Sequence, residues 1–199
     1  MTDLMEQLRQ IGALKSGHFL LASGRHSDVY LEKFDLLRNP GATEIVCARF
    51  VEAFGDIPVD VVVGPTTGGI LLAFETARQM GLPAAYAERA SEGVETREIR
   101  RSTTFAEAAR VLVVDDILTT GGSIRETLGA LQVHPVEVMG IGVLVDRSNG
   151  KVEFGDIPLR PLARQNVESW EPSECPMCSY GEPLVKPGTT VAQNALQGT

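Results

Sequence analysis

Three continuous apolar runs constrain this chain most. They are "VDVVVGP" at 59–65, "RVLVVDD" at 110–116 and "VEVMGIGVLVD" at 136–146. None alternates apolar with polar residues over its core, so each reads as a strand buried on both faces. A glycine turn and a helical stretch follow the first two, "GILLAFETARQMG" at 69–81 and "GSIRETLGAL" at 122–131. Buried strands alternating with helices require parallel pairing with helices on both faces. The expected fold is α/β: an open, mostly parallel sheet flanked by helices.

The rest of the chain reads less sharply. Residues 2–14 carry Leu4, Leu8 and Ile11 at helical spacing, and Ile45, Val46, Phe50 and Phe54 give a second amphipathic helix within 41–55. "GHFLLASGRHSDVYLEKFDLL" at 17–37 is turn-rich and suggests short strands, and "AAYAER" at 84–89 another. Residues 88–109 are charged without an apolar period and read as a mobile loop with room for some strand. From Trp170 the chain is Pro- and Gly-rich, and residues 190–199 read as a frayed tail.

Length fits one domain, 1–199. No apolar run approaches the ~18 residues of a membrane span. "MTDLMEQLRQIGALKSG" is unlike a signal peptide, and three cysteines without one suggest a reducing, cytoplasmic setting. The net charge of −8 argues against a general nucleic-acid surface. It leaves room for an anionic small molecule held by local N–H groups and a few cations.

In an open parallel sheet, ligands sit beyond the carboxyl ends of the strands. Three unusual segments fall at that edge: "GPTTGG" at 64–69, "DDILTTGGS" at 115–123 and "DR" at 146–147. The Thr-Thr-Gly-Gly-Ser turn exposes backbone N–H groups at a helix start, and Thr119, Thr120 and Ser123 add hydroxyls. That is a phosphate cradle, although neither the P-loop nor the dinucleotide fingerprint is present. Asp115 and Asp116 would repel phosphate, so they must face hydroxyls or a cation such as Mg²⁺. Phosphate on one side and a diol on the other describe a ribose 5-phosphate.

Apolar strand, two acids, two variable residues and T-T-G-G-S closely resemble the phosphoribosyl pyrophosphate (PRPP) signature of type I phosphoribosyltransferases. "GHFLLASGRHSDVYLEKFDLLRNP", "GPTTGGILLAFETARQMG" and "VLVDRSNG" narrow the resemblance to the orotate phosphoribosyltransferases, over roughly residues 5 to 190. The resemblance implies a small hood built from residues 1–40 and 155–190. It implies PRPP binding by Asp115, Asp116, Ile117, Leu118, Thr119, Thr120, Gly121, Gly122 and Ser123, with Thr67, Gly68 and Arg89. It places Thr119, Arg147, Tyr30 and Leu31 at orotate, with the Arg147 guanidinium gripping the carboxylate. Asp146 reads as a turn cap or as orienting Arg147. Mg²⁺ as cofactor and a homodimer with shared active sites follow from the same resemblance. A phosphoribosyltransferase for another base, and a PRPP-sensing regulator, are the alternatives; a carboxylate clamp at Arg147 and the acidic balance weigh against them.

The chain departs from the family where lysines usually meet pyrophosphate. Ala22 and Gly68 stand at two such places, and in "ERASEGV" at 88–94 only Arg89 keeps a cation. Arg97, Arg100 and Arg101 are the candidate catalytic replacements from the mobile loop, or else members of a solvated, charge-mixed loop with Glu92, Glu95, Glu98 and Glu107. "ECPMCSYG" holds C-x-x-C at Cys175 and Cys178. Zinc would need two more ligands, and Cys47, His18, His26 and His134 show no convincing spacing. The segment therefore reads as a structural turn, and no protein side chain is assigned to a metal.

Overall fold

The structure is a computed structural model describing residues 4–21, 23–91, 96–100, 103–165 and 168–187. In chain order the elements are α1 (Leu4–Gln10), β1 (Leu14–Leu20), β2 (His26–Leu31), α2 (Lys33–Leu37), α3 (Pro40–Ala53), β3 (Val61–Pro65), α4 (Gly68–Met80), β4 (Ala84–Arg89), β5 (Arg97–Ile99), β6 (Ala109–Leu118), α5 (Gly122–Leu131), β7 (Val136–Asp146), β8 (Leu159–Arg164) and α6 (Pro176–Ser179). They fall into two compact units, one of residues 1–13 and 33–166 and the other of 14–32 and 167–199.

The larger unit holds a six-stranded sheet in the order β5-β4-β3-β6-β7-β8. All neighbours pair in parallel except β5, which runs antiparallel to β4. The three apolar runs are its centre, and every residue of β3 is buried. Val61, Val63, Val111, Val113, Ile141 and Val143 form one core with Ile124 and Leu131 of α5. Elsewhere α3 drives Phe50 and Phe54 against β7. Cβ atoms at Gly140 and Gly142 would come within 2.7 Å of Phe54 and 2.9 Å of Phe50. The glycines of "MGIGV" therefore make room for two rings that are fully buried, each worth about 3–5 kcal/mol against alanine. Asn39 sets the start of α3, its side chain accepting from the Ala42 N–H at 3.2 Å, with Pro40 in the first turn.

The smaller unit is built on the β1–β2 hairpin, whose register shifts between Ser16 and Phe19. His26 and Trp170 exchange main-chain hydrogen bonds at 2.8 and 2.9 Å, and Leu20 and Val185 are tied in at 2.8 Å from the Val185 carbonyl. A 3₁₀ turn at Pro172–Glu174 and α6 follow.

The expected hood segments, 1–40 and 155–190, are divided between the two units. Residues 4–13, 33–40 and 155–165 belong with the large sheet. Lys33–Leu37, expected among short strands, is a helix that buries Leu36 and Leu37. β8 went unread because "LRPLAR" carries charge at both arginines and a proline, which only an edge strand tolerates. The stretch 88–109 contains a true strand, β5. The tail from 190 lies outside the described residues. The C-x-x-C segment, read as a structural turn, is the capped start and body of the short helix α6, and His18 and His26 stand against it.

Candidate active site

The site grows from the carboxyl end of β6. The strand stays paired with β7 through Ile117 and Leu118, opposite Val145 and Asp146. The chain then turns through Thr119–Gly121 and enters α5 at Gly122. A recess of about 60 Å³ lies here, lined by Asp115 and by Ile117 through Ile124. It faces the start of a ten-residue helix, whose first N–H groups lack intrahelical partners and favour an anion.

Asp115 and Asp116 are 5% and 4% exposed. One Asp115 oxygen accepts from the Asp116 N–H at 2.8 Å, and Asp116 Oδ1 accepts from the Ile117 N–H at 2.7 Å. The other Asp116 oxygen lies 2.8 Å from Lys33 Nζ. Burial, and next the Asp116 charge, push the Asp115 carboxyl up to about 7, against the pull of the Asp116 N–H, the Ser123 hydroxyl and Lys33. Two buried carboxylates with one cation is an unbalanced arrangement. It suits a ligand bringing hydroxyl donors or a divalent ion.

The β3–α4 turn meets the same place. The Thr66–Thr67 peptide is cis. Thr67 is exposed. Gly68 is buried, and a Cβ on it would lie 2.0 Å from Asp116 Oδ2 and 3.1 Å from Leu37 Cδ1. A side chain at position 68 would therefore require Asp116 to shift.

Among the candidate cations, Arg97 is not a loop-tip group. It sits in β5, 8% exposed. Its guanidinium binds Glu126 at 3.0 Å, Thr66 Oγ1 at 2.8 Å, the Ala87 carbonyl at 3.1 Å and Ser123 Oγ at 3.4 Å. It therefore buttresses both glycine turns at once. Arg100 is more exposed, pairs with Glu98 at 2.8 Å and donates to the Ala90 carbonyl. Arg89 is exposed at the end of β4. Arg101, Glu92, Glu95 and Val94 lie outside the described residues, as does Ala22.

Arg147 follows β7 directly and is half-buried. Its N–H donates to the Leu118 carbonyl at 2.8 Å, which fixes its backbone to the end of β6. Asp146 caps the turn, accepting from the Ser148 N–H at 2.8 Å and hydroxyl at 2.6 Å. In the smaller unit, Leu31 is buried and the half-buried Tyr30 ring packs 5.6 Å from Phe19. Glu126 is a residue sequence reasoning did not place at the site, and Lys33, read as touching base or phosphate or else as a surface charge, meets Asp116. Neither belongs to a spacing motif, and only the fold brings them there.

Comparison with known proteins supplies the family. Residues 34–173 match the phosphoribosyl transferase domain. The orotate phosphoribosyltransferase of Caldanaerobacter subterraneus subsp. tengcongensis is 41% identical over 186 residues, 94% of this chain and 96% of that protein. That of a Thermoanaerobacter species is 43% identical over 187 residues, with the same coverage. The crystal structure of orotate phosphoribosyltransferase from Aeropyrum pernix superposes with a TM-score of 0.69 at 28% identity, covering 81% of this chain and 93% of that one.

Proposed function

The chain belongs to the orotate phosphoribosyltransferases of the phosphoribosyl transferase family, and from that premise we propose how its own residues carry the reaction. The reaction transfers the 5-phosphoribosyl group of PRPP to orotate, giving orotidine 5′-monophosphate and diphosphate on the route to UMP. The observation that carries the reading is the buried Asp115–Asp116 pair running directly into the Thr119–Ser123 cradle at the end of β6.

The Thr119–Ser123 N–H groups and hydroxyls bind the 5-phosphate at the start of α5. Asp115 and Asp116 accept from the ribose hydroxyls. This orients the anomeric carbon and favours the positive charge that develops there as its bond to diphosphate breaks. Orotate N1 forms the new bond, and no side chain acts as nucleophile. Arg147 holds the orotate carboxylate in a fork and Thr119 lies beside the ring. Thr67 and Gly68 present the turn to the diphosphate, with Arg89, Arg100 and Arg101 as the candidate cations. Arg97 positions both turns rather than touching substrate. The family resemblance assigns Tyr30 and Leu31 to the base.

The two carboxylates are hard oxygen donors and fit Mg²⁺ arriving with PRPP. Asp115 and Asp116 would hold the ion, which would supply positive charge beside the diphosphate. We further propose a homodimer with shared sites; the exposed Ile45, Leu71 and Phe74 on α3 and α4 support an apolar partner surface. No helix among the described residues is long and apolar enough to cross a membrane, and the three free thiols suit a reducing cytoplasm.

Calorimetric titration with PRPP and Mg²⁺ tests the cradle. Thr120→Ala and Ser123→Ala should each weaken binding by about tenfold, the worth of a hydrogen bond to a charged group. Unchanged affinity in both would remove the phosphate from this loop.

A further inference from the structure

The smaller unit carries a cluster that phosphoribosyl transfer does not use. His18 leaves β1 next to its register shift, and His26 opens β2. Cys175 precedes α6 as its N-cap and Cys178 lies within it. One donor atom from each lies within 4.8 Å of all the others. His18 Nε2 is 3.0 Å from His26 Nδ1, 3.4 Å from Cys175 Sγ and 3.7 Å from Cys178 Sγ, and Cys178 Sγ is 3.3 Å from His26 Nδ1.

From these four side chains we infer a structural zinc site of the Cys₂His₂ type. A tetrahedral ion with Zn–N of about 2.0–2.1 Å and Zn–S of about 2.3 Å sets its ligand atoms roughly 3.3–3.8 Å apart. Four of the separations, 3.0, 3.3, 3.4 and 3.7 Å, fall in or near that range, and all lie within 4.8 Å, so small side-chain adjustments suffice to close a tetrahedron. Two nitrogens and two sulfurs select zinc over magnesium or calcium, which take oxygen.

A second observation orients the ligands. His18 Nδ1 lies 2.8 Å from the Glu182 carbonyl, which can only accept. The proton therefore sits on Nδ1, and Nε2 presents its lone pair to the other three groups. This is the outer-shell arrangement usual for a zinc-bound histidine. His18, His26 and Cys175 are buried, so the site is closed on all but the Cys178 side. Four protein ligands leave no open position, which makes the ion structural rather than catalytic.

The unit also needs such a staple. It joins a short hairpin to a distant C-terminal segment, and Tyr180, Leu184 and Val185 remain exposed. Apolar burial on this scale rarely stabilises a fold without a metal or disulfide. The site rests on neither PRPP nor orotate.

The test is metal analysis of the full-length protein purified without added metal or chelator. About one zinc per chain is expected, falling below about 0.2 in Cys178→Ala and in His26→Ala. Because either variant could unfold locally, the wild type should also be stripped and reloaded with Co²⁺. Intense visible bands of a tetrahedral thiolate–imidazole site should appear at one equivalent, and zinc should bleach them. A metal-free, fully folded protein that gives no cobalt bands would overturn the proposal, as would zinc retained in both variants.

Discussion

Lys33 Nζ sits 2.8 Å from Asp116 Oδ2, so the first residue of α2 neutralises half of the buried acid pair at the end of β6. Asp116 is 6% exposed and Lys33 34% exposed at the side chain, so the pair is only partly screened.

Removing the lysine should therefore cost more than a surface ion pair. Lys33→Ala should lower stability by about 1–2 kcal/mol, less than a fully buried pair because Lys33 reaches solvent. It should also raise KM for PRPP. A double-mutant cycle with Asp116→Ala, followed by urea unfolding, should return coupling of about 1 kcal/mol or more. Additive effects would dissolve the relationship.

Asp115 gives a pH signature. Its carboxyl is raised to about 7 in the fold, by burial first and Asp116 second, against about 3.9 in an unfolded chain. Below pH 4 both states hold the proton and nothing changes. Between about 4 and 7 the unfolded state ionises first, so folding loses stability as pH rises, and above 7 the loss is constant. Asp115→Asn should thus be more stabilising at pH 8 than at pH 5, by about 2 kcal/mol, while weakening PRPP binding. Thermal unfolding of both proteins at the two pH values checks this, and equal differences would contradict it.

Gly68 should not accept a lysine. A Cβ there lies 2.0 Å from Asp116 Oδ2, so Asp116 must shift by about 1 Å or more, a misplacement worth about 100-fold in rate. Gly68→Ala and Gly68→Lys should both lose about 100-fold in kcat/KM, with lysine giving no gain over alanine. Higher turnover in Gly68→Lys would show that the turn has room.

Arg97 and Arg100 should separate cleanly. Arg97→Ala leaves Glu126 and Thr66 without their shared donor in a partly buried place, so about 2 kcal/mol of stability should go with it. Arg100→Ala, exposed and paired with Glu98, should change stability by less than about 0.5 kcal/mol. If Arg100 serves diphosphate, its loss shows instead in turnover. Denaturant unfolding alongside steady-state kinetics reads both.

What the sequence displayed was whatever local chemistry repeats. Continuous valines marked β3, β6 and β7, because burial on both faces leaves no polar alternation. The nine residues from Asp115 to Ser123 marked the site, because an acid pair before a phosphate turn has few other uses. What it hid depended on distance along the chain. Lys33 meets Asp116, Arg97 meets Glu126, and His18 and His26 meet Cys175 and Cys178 only after folding. Arg97 looked like one of several loop arginines, and nothing local marked it as buried. β8 was hidden for a different reason: an edge strand keeps its charged residues.

The most direct measurement is the absorbance of orotate with purified protein, PRPP and Mg²⁺, run beside Arg147→Ala, with the product identified by mass. Expected are loss of the orotate signal, orotidine 5′-monophosphate as product, and a fall in kcat/KM for orotate of about 100-fold or more in the variant, the worth of a two-pronged charged contact. No turnover of orotate by the wild-type protein, or equal turnover by Arg147→Ala, would contradict it.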